Sequence, residues 1–326
     1  MQTSPSDTTT TLSCRRERKL CNRVSSVLLA YLLLMNLVVI AVMLVEVCVE
    51  LIRLTGLGYN LNAALNQVMQ PDFLTQLLQN GAGYLVVSGL CLLLILLWKK
   101  PAFYREVFRP GSPMSGPVFW QLLSVFLSIQ VLSSLFFNLL ESILNLWGLS
   151  ANQAGIEISE IVRSPGMILY VAVVAPVVEE LLFRGAVLRS FQPFGKRFAI
   201  VFSALLFGLF HGNLIQIPFA FLTGLVLGYT AVEYSIVWAM LLHFINNGIF
   251  SLLLSPAPML QNLLMVGFLI AGVVAFAIHG NDVRAYHRNL YPMPRQALRG
   301  FWTAPCTIIL VLLCLLSAAM GIQAQW

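Results

Sequence analysis

The chain has 326 residues, of which 59% are hydrophobic and only 10% charged, and its formal net charge is +6. A soluble domain carries about 25% charged residues, so there are too few charges here to cover a water-facing surface, and the composition specifies an integral membrane protein with several spans. Disordered, collagenous and nucleic-acid-binding classes are excluded with it, because the positive excess is scattered in short patches between apolar runs.

A Ser/Thr-rich tail and the basic residues Arg15, Arg16, Arg18, Lys19 and Arg23 precede a first apolar run near 24–45. That run is too long for the apolar part of a signal peptide and no A-x-A site follows, so it reads as an uncleaved span. Further runs lie near 81–98, 117–147, 166–188, 198–214, 217–232, 236–254, 259–278 and 301–320, the pair either side of Pro218 being Pro-interrupted. A crossing needs about 20 helical residues. Backbone groups in lipid must be bonded internally and the alternation of a barrel is absent, so the expectation is an all-α polytopic membrane helical bundle of about eight to nine transmembrane helices. Sixteen of the 19 Lys and Arg residues fall on one side of such a bundle, against Arg53 and Arg163 on the other and Arg184 within a span. This predicts a cell-membrane protein with a cytosolic N-terminus and a non-cytosolic C-terminus.

The chain divides into a polar, basic tail at 1–23, peripheral helices and a cytosolic linker at 24–116, a core at 117–255 and C-terminal helices at 256–326. The linker is the Pro/Gly/Ser-containing stretch from Arg109 to Pro117. Cys14, Cys21, Cys48, Cys91, Cys306 and Cys314 show no C-x-x-C spacing, and neither a zinc cage nor a disulfide framework follows from them.

Charged groups at bilayer depth cost about 2.5–3.5 kcal/mol each on insertion scales, which makes them functional candidates. The core holds one dense set: Glu179, Glu180 and Arg184 in the fourth run, His211 in the fifth, and His243, Asn246 and Asn247 in the seventh. Glu180 and Arg184 are i and i+4 with the acid first, the favoured order for a helix ion pair, which leaves Glu179 on another face. His243 and Asn247 also share a face, as do Phe207 and His211. Counting about 1.5 Å per residue from the basic ends puts Glu179 roughly 14 Å deep, His211 roughly 20 Å, His243 roughly 10 Å and Asn247 roughly 16 Å, close enough to meet in one cavity. A carboxylate beside a histidine can take a proton from water, and a histidine with a carboxamide can hydrogen-bond an oxyanion. Those are the parts for hydrolysing an acyl bond without a covalent intermediate, and no G-x-S-x-G nucleophile motif is present.

Three motifs now carry a resemblance. Glu179-Glu180-Leu181-Leu182-Phe183-Arg184 matches E-E-x-x-x-R, Phe207 to His211 matches F-x-x-x-H, and His243 to Asn247 matches H-x-x-x-N of the CPBP family of type II CAAX prenyl endopeptidases and bacteriocin-processing or self-immunity proteins, also called the Abi family. The resemblance covers roughly 120–255 and implies a four-helix catalytic core and an intramembrane glutamate endopeptidase. In it Glu179 and His211 activate water, His243 and Asn247 stabilise the oxyanion, and Glu180 and Arg184 support them. The substrate implied is a membrane-associated peptide or protein, lipidated or not, met in the lipid bilayer; no nucleic-acid partner is expected.

No cofactor is expected. A zinc-dependent mechanism stands as the alternative, weakened by the absence of H-E-x-x-H and by Asn247 being a poor zinc ligand. A different class of function, a non-catalytic immunity or scaffold protein or a proton-coupled transporter, would use the same polar cavity, though transporters usually show inverted repeats and none is visible. Gln130, Asn138, Glu141 and Asn145 read as interfacial or packing residues, His279 as a helix-end residue, Glu233 as part of a short turn, and Gly224 with Gly228 as a close-packing face.

Overall fold

A computed structural model describes residues 5–70, 72–73, 76–77, 81–99, 101–151 and 164–324, without the side chains of 5–14 and 101–102. Lys100 and Arg163, which the topology reading counted, lie outside the described residues. The described chain is an all-α polytopic bundle. Its helices are α1 (Pro5–Gly56), α2 (Leu61–Val68), α3 (Ala82–Trp98), α4 (Pro101–Val107) and α5 (Gly116–Asn145), then α6 (Pro165–Phe194), α7 (Lys196–Phe210), α8 (Gln216–Glu233) and α9 (Ile236–Leu253), and last α10 (Pro258–Asn289), α11 (Arg295–Trp302) and α12 (Pro305–Met320). A two-residue antiparallel ladder pairs β1 (Leu149–Ser150) with β2 (Gln323–Ala324).

Each of the nine apolar runs is helical over most of its length, but the helix lengths differ from the expectation. Five helices among the described residues are long and apolar enough to cross a membrane, in α1, α5, α6, α9 and α10; α11 and α12 add a sixth if their pair, bent by 62°, is one span. The shortfall has local causes. Helix α7 has only 15 residues, about 22 Å at 1.5 Å per residue, because Gly212 at φ +62° turns the chain back. Pro218 sits in the first turn of α8, where a missing N–H costs nothing. Conversely α1 and α10 overrun their apolar runs at both ends. Large apolar side chains such as Leu37 (65% exposed) and Val273 (60%) face outward all round the bundle, as lipid contact requires and a water-facing surface rarely shows.

Two apolar clusters form the interior. One joins α1, α3, α4, α6, α7, α11 and α12 around Leu28, Cys91, Phe183, Phe198, Phe207 and Phe301. The other joins α5, α8, α9 and α10 around Phe126, Leu227, Leu242 and Phe250. The N- and C-terminal helices, distant in sequence, are bound to each other: Ser25 Oγ and Thr307 Oγ1 are 2.7 Å apart, and the Cys306 N–H donates to Asn22 Oδ1 at 2.9 Å. Small residues set the spacing of the second lobe, where Gly272 of α10 lies directly under Ser128 of α5.

The basic residues gather at one end. Lys99 Nζ donates to Ser190 Oγ at 2.7 Å, Arg189 donates to Val107 O at 3.1 Å, and Lys196 pairs with Glu233 at 2.8 Å. Glu233, the last residue of α8, also accepts from Tyr286 Oη at 2.8 Å. The linker expected to be a spacer is strapped to this end instead: the Ser112 N–H donates to Glu233 O at 2.9 Å and the Gly111 N–H to Tyr234 O.

Candidate functional site

The site lies at the seam of the two clusters, with α6 and α7 from the first and α9 from the second. Helix α6 is not uniformly α-helical. It runs α over Pro165–Leu169, π over Tyr170–Val174, α over Ala175–Glu180 and π again over Leu181–Leu188. Wide turns of this kind are rare and concentrate at functional sites. Pro176 explains the first one, because it lacks an N–H and its ring would strike the carbonyl four residues back. The Ala175 N–H bonds Tyr170 O in the π pattern, so the donor due to Val171 O would be residue 176, which has none. Asn247 fills the vacancy from α9, its Nδ2 donating to Val171 O at 3.4 Å. Close approach there depends on Gly248, where a Cβ would lie 3.4 Å from Ala172 Cβ and 3.1 Å from the Phe244 ring.

Glu180 and Arg184 form the ion pair that their spacing suggests, Nη1 to Oε1 at 3.0 Å with both side chains fully buried. Arg184 also donates from Nη2 to Gly224 O at 3.3 Å and lies over the Phe207 ring, 4.2 Å from its centroid. Gly224 is needed for this reach, since a Cβ there would meet Arg184 Nη2 at 3.2 Å and Ala204 Cβ at 3.1 Å. The glycine stripe on α8 is therefore a packing face that also supplies a hydrogen-bond acceptor.

His243 is held between the two glutamates. Its Nδ1 is 3.0 Å from Glu180 Oε1, and its Nε2 is 3.8 Å from Oε2 of Glu179, whose side chain is 28% exposed. An ionised Glu180 only accepts, so the Nδ1 proton points to it. Nε2 is then a lone pair in the neutral ring and a donor in the imidazolium.

Helix α7 does not run on to 214, as the apolar run implied; His211 caps its C-terminus at the turn into α8. Its N–H bonds Gly208 O at 3.2 Å, which frees Phe207 O to accept from its own Nδ1 at 2.9 Å. That bond leaves Nε2 as the acceptor of the neutral ring. Glu179 is within Coulombic range of His211. Phe207 joins the parts, its ring edge-on to His211 at 4.9 Å and to His243 at 5.9 Å. Asn213 holds the turn, accepting the Gln216 N–H at 2.8 Å and donating to His211 O at 3.3 Å.

Other residues fall differently from their sequence reading. Asn246 is buried and donates to Asn247 Oδ1 at 2.9 Å, fixing the neighbouring amide. Gln130 and Asn138 line a cavity with Ser133, Ser134, Gln216 and Phe219 beside the hairpin turn, rather than serving in packing alone. Glu141 caps the turn after α5 by accepting from Ser150 Oγ and from the Ala151 N–H at 2.9 Å. His279 lies inside α10, 3.0 Å from Gln121 of α5. Tyr31 of α1, Cys91 of α3 and Tyr170 of α6 are within Coulombic range of Glu179, so two helices read as peripheral help to wall the site. Pro176, Gly212 and Asn213 are the residues sequence reasoning missed, and a proline three residues before an intramembrane carboxylate was the signal. Cys21, Cys48, Cys91, Cys306 and Cys314 are free thiols. Among the described residues no three His, Cys, Asp or Glu side chains are grouped to hold a metal ion.

Residues 162–249, which contain all three motifs, match the family model of type II CAAX prenyl endopeptidase Rce1-like proteins. No curated protein and no solved structure matches the chain.

Proposed function

We propose that this chain, a member of the CAAX protease family through its Rce1-like residues 162–249, is an intramembrane glutamate endopeptidase that cuts a peptide bond in a membrane-associated protein or peptide. The observation that carries the reading is the division of labour between adjacent carboxylates. Glu180 is fully buried and tied to Arg184 and His243, while Glu179 is partly exposed and faces His243 Nε2. Glu179, with His211 Nε2, takes a proton from a water molecule as its oxygen bonds to the scissile carbonyl carbon. Protonated His243 and the Asn247 carboxamide then donate to the resulting oxyanion. Collapse breaks the C–N bond, and the proton held by Glu179 passes to the leaving amine. Glu180 orients His243, and Arg184 holds Glu180.

A non-cleaving binder or a transporter would need the same cavity but not a base with an exposed edge. The basic end is assigned to the cytosol, so the substrate is met from that side, and a reporter fused after Trp326 should appear on the non-cytosolic side. The decisive experiment compares the intact protein with Glu179→Gln and His211→Ala on peptides ending in a CAAX sequence, prenylated and unprenylated, in reconstituted vesicles. Loss of cleavage with retained membrane insertion is expected. Undiminished turnover in either variant would sink the assignment.

A further inference from the structure

A separate cavity of about 180 Å³ has Arg184 in its lining but neither Glu179, His211 nor His243. Its roof is the strap at residues 109–111 and its walls come from α4, α6, α8 and the start of α9. Glu106, Arg109, Arg184, Arg189 and Gln192 supply its polar lining. Arg184 is 1% exposed, and while both terminal nitrogens of its guanidinium are bonded, Nε is buried with no hydrogen-bond partner. A buried, unpaired N–H of a guanidinium is costly and calls for an explanation. The strap is built to close over this space. Gly111 lies so near α8 that a Cβ would come within 2.6 Å of Glu233 O, and two backbone hydrogen bonds fasten it there.

The lining chemistry is one-sided. Three arginines line the cavity against a single acidic residue, Glu106, which lies within Coulombic range of Arg189. Arg109 is exposed at the rim and has no such partner among the described residues, and Gln192 adds an amide donor. A fork of guanidinium donors is the arrangement suited to tetrahedral oxyanions. Cavities of this size hold several water molecules, which is room for one phosphate group. The cavity is at the basic end of the bundle, where anionic headgroups of a cytosolic leaflet would lie.

We propose that this cavity binds one phosphate-type anion, either the headgroup of an anionic phospholipid or free phosphate, through Arg109, Arg189 and Arg184 Nε. The bound anion touches the same guanidinium that holds Glu180, so it reaches the candidate site from behind without entering it.

The test reads binding rather than cleavage, so its outcome is independent of the proposed activity. The full-length protein is titrated in neutral detergent with inorganic phosphate, and separately reconstituted in nanodiscs of phosphatidylcholine with and without phosphatidylglycerol. One saturable adduct by native mass spectrometry and a raised unfolding midpoint are expected from at least one source. Response to phosphate in detergent identifies the free anion, and response to phosphatidylglycerol alone identifies the headgroup. Arg109→Gln, at an exposed position that folding does not require, should weaken binding at least about ten-fold by removing a charge-assisted contact. Arg189→Gln should do the same, while Arg295→Gln on α11 leaves binding unchanged. Absence of a saturable adduct from both sources, or equal binding by Arg109→Gln and the parent protein, overturns the proposal.

Discussion

Replacing Pro176 with alanine tests the link between the irregular backbone of α6 and the carboxamide of α9. The new N–H stands where the π frame calls for a donor to Val171 O, the atom that Asn247 Nδ2 now occupies at 3.4 Å. A backbone hydrogen bond contributes about 0.5–1.5 kcal/mol, and the looser unfolded chain of alanine takes back about 0.4–1 kcal/mol. The variant should therefore lie between about 0.5 kcal/mol less and about 1 kcal/mol more stable than the parent. Asn247→Ala alone strands a part-buried carbonyl and should cost about 1 kcal/mol, the low end for an orphaned group. In the double variant that cost should vanish, giving a coupling of at least about 0.5 kcal/mol in a double-mutant cycle. Activity should move the other way. Asn247→Ala removes a proposed oxyanion donor and should lower kcat by about 10²–10³-fold. Pro176→Ala leaves every polar side chain intact yet releases the amide, and should lose at least about ten-fold, since a misplacement of about 1 Å can cost 10²-fold. Unfolding in detergent micelles and peptide cleavage provide the two readouts. Additive stabilities together with full activity in Pro176→Ala would refute the reasoning.

Arg184→Met strands the fully buried Glu180 carboxylate and should cost about 3 kcal/mol, the low end for a broken buried pair because His243 remains a partner. Adding Glu180→Gln should restore most of that stability but not cleavage, and a lasting deficit in the pair would show that the ion pair is not the unit involved. Glu180→Gln alone should reduce kcat by about 10³–10⁴-fold, the loss expected when an orienting carboxylate beside a catalytic imidazole becomes an amide; a loss under ten-fold would place Glu180 outside the mechanism. Burial lowers the Lys99 amine to about 8, with the charge of Arg23 adding to the effect. The unfolded chain holds that proton more tightly, so stability should rise between about pH 8 and the ordinary lysine range and then level off. Lys99→Met should flatten this rise in a pH series of unfolding midpoints, and an unchanged slope would count against the shift. Phenanthroline should leave peptide cleavage largely intact, whereas inhibition reversed by added zinc would favour the metal-dependent alternative.

What the sequence carried about this protein follows the range of the interactions involved. The helices and the Glu180–Arg184 pair depend on neighbours within one turn, and spacing exposes them directly. The small-residue face at Gly224 was readable for the same reason, although its carbonyl bond to Arg184 was not, because that contact spans 40 residues. Face arithmetic at 100° per residue failed wherever the backbone widened. It set Asn246 apart from Asn247, whereas the π segment at Ile245–Leu253 turns the two amides toward each other at 2.9 Å. Likewise the apolar run near 198–214 ignored Gly212, whose positive φ ends α7 and makes His211 a cap instead of a mid-helix residue. The pairing of α1 with α11 and α12 was invisible, since only apolar composition and two hydroxyls 282 residues apart record it.

The irregular backbone at Tyr170–Val174 and at the end of α7 has one consequence in common. In lipid a backbone carbonyl without a partner is costly, and departures from regular helix persist only where protein supplies the missing donor. Here the donors are site residues: His211 Nδ1 serves Phe207 O and Asn247 Nδ2 serves Val171 O, while Arg184 Nη2 adds a bond to Gly224 O of the regular helix α8. Each polar side chain is thereby fixed by main chain rather than by another mobile side chain, which restricts it before any substrate arrives. The orphaned carbonyls and the polar groups stabilise each other, so the helical distortion that would be a defect elsewhere in the bundle orients the site. Substitutions at Pro176 or Gly224, which carry no functional side-chain atom, should for that reason lower cleavage although every polar side chain stays in place.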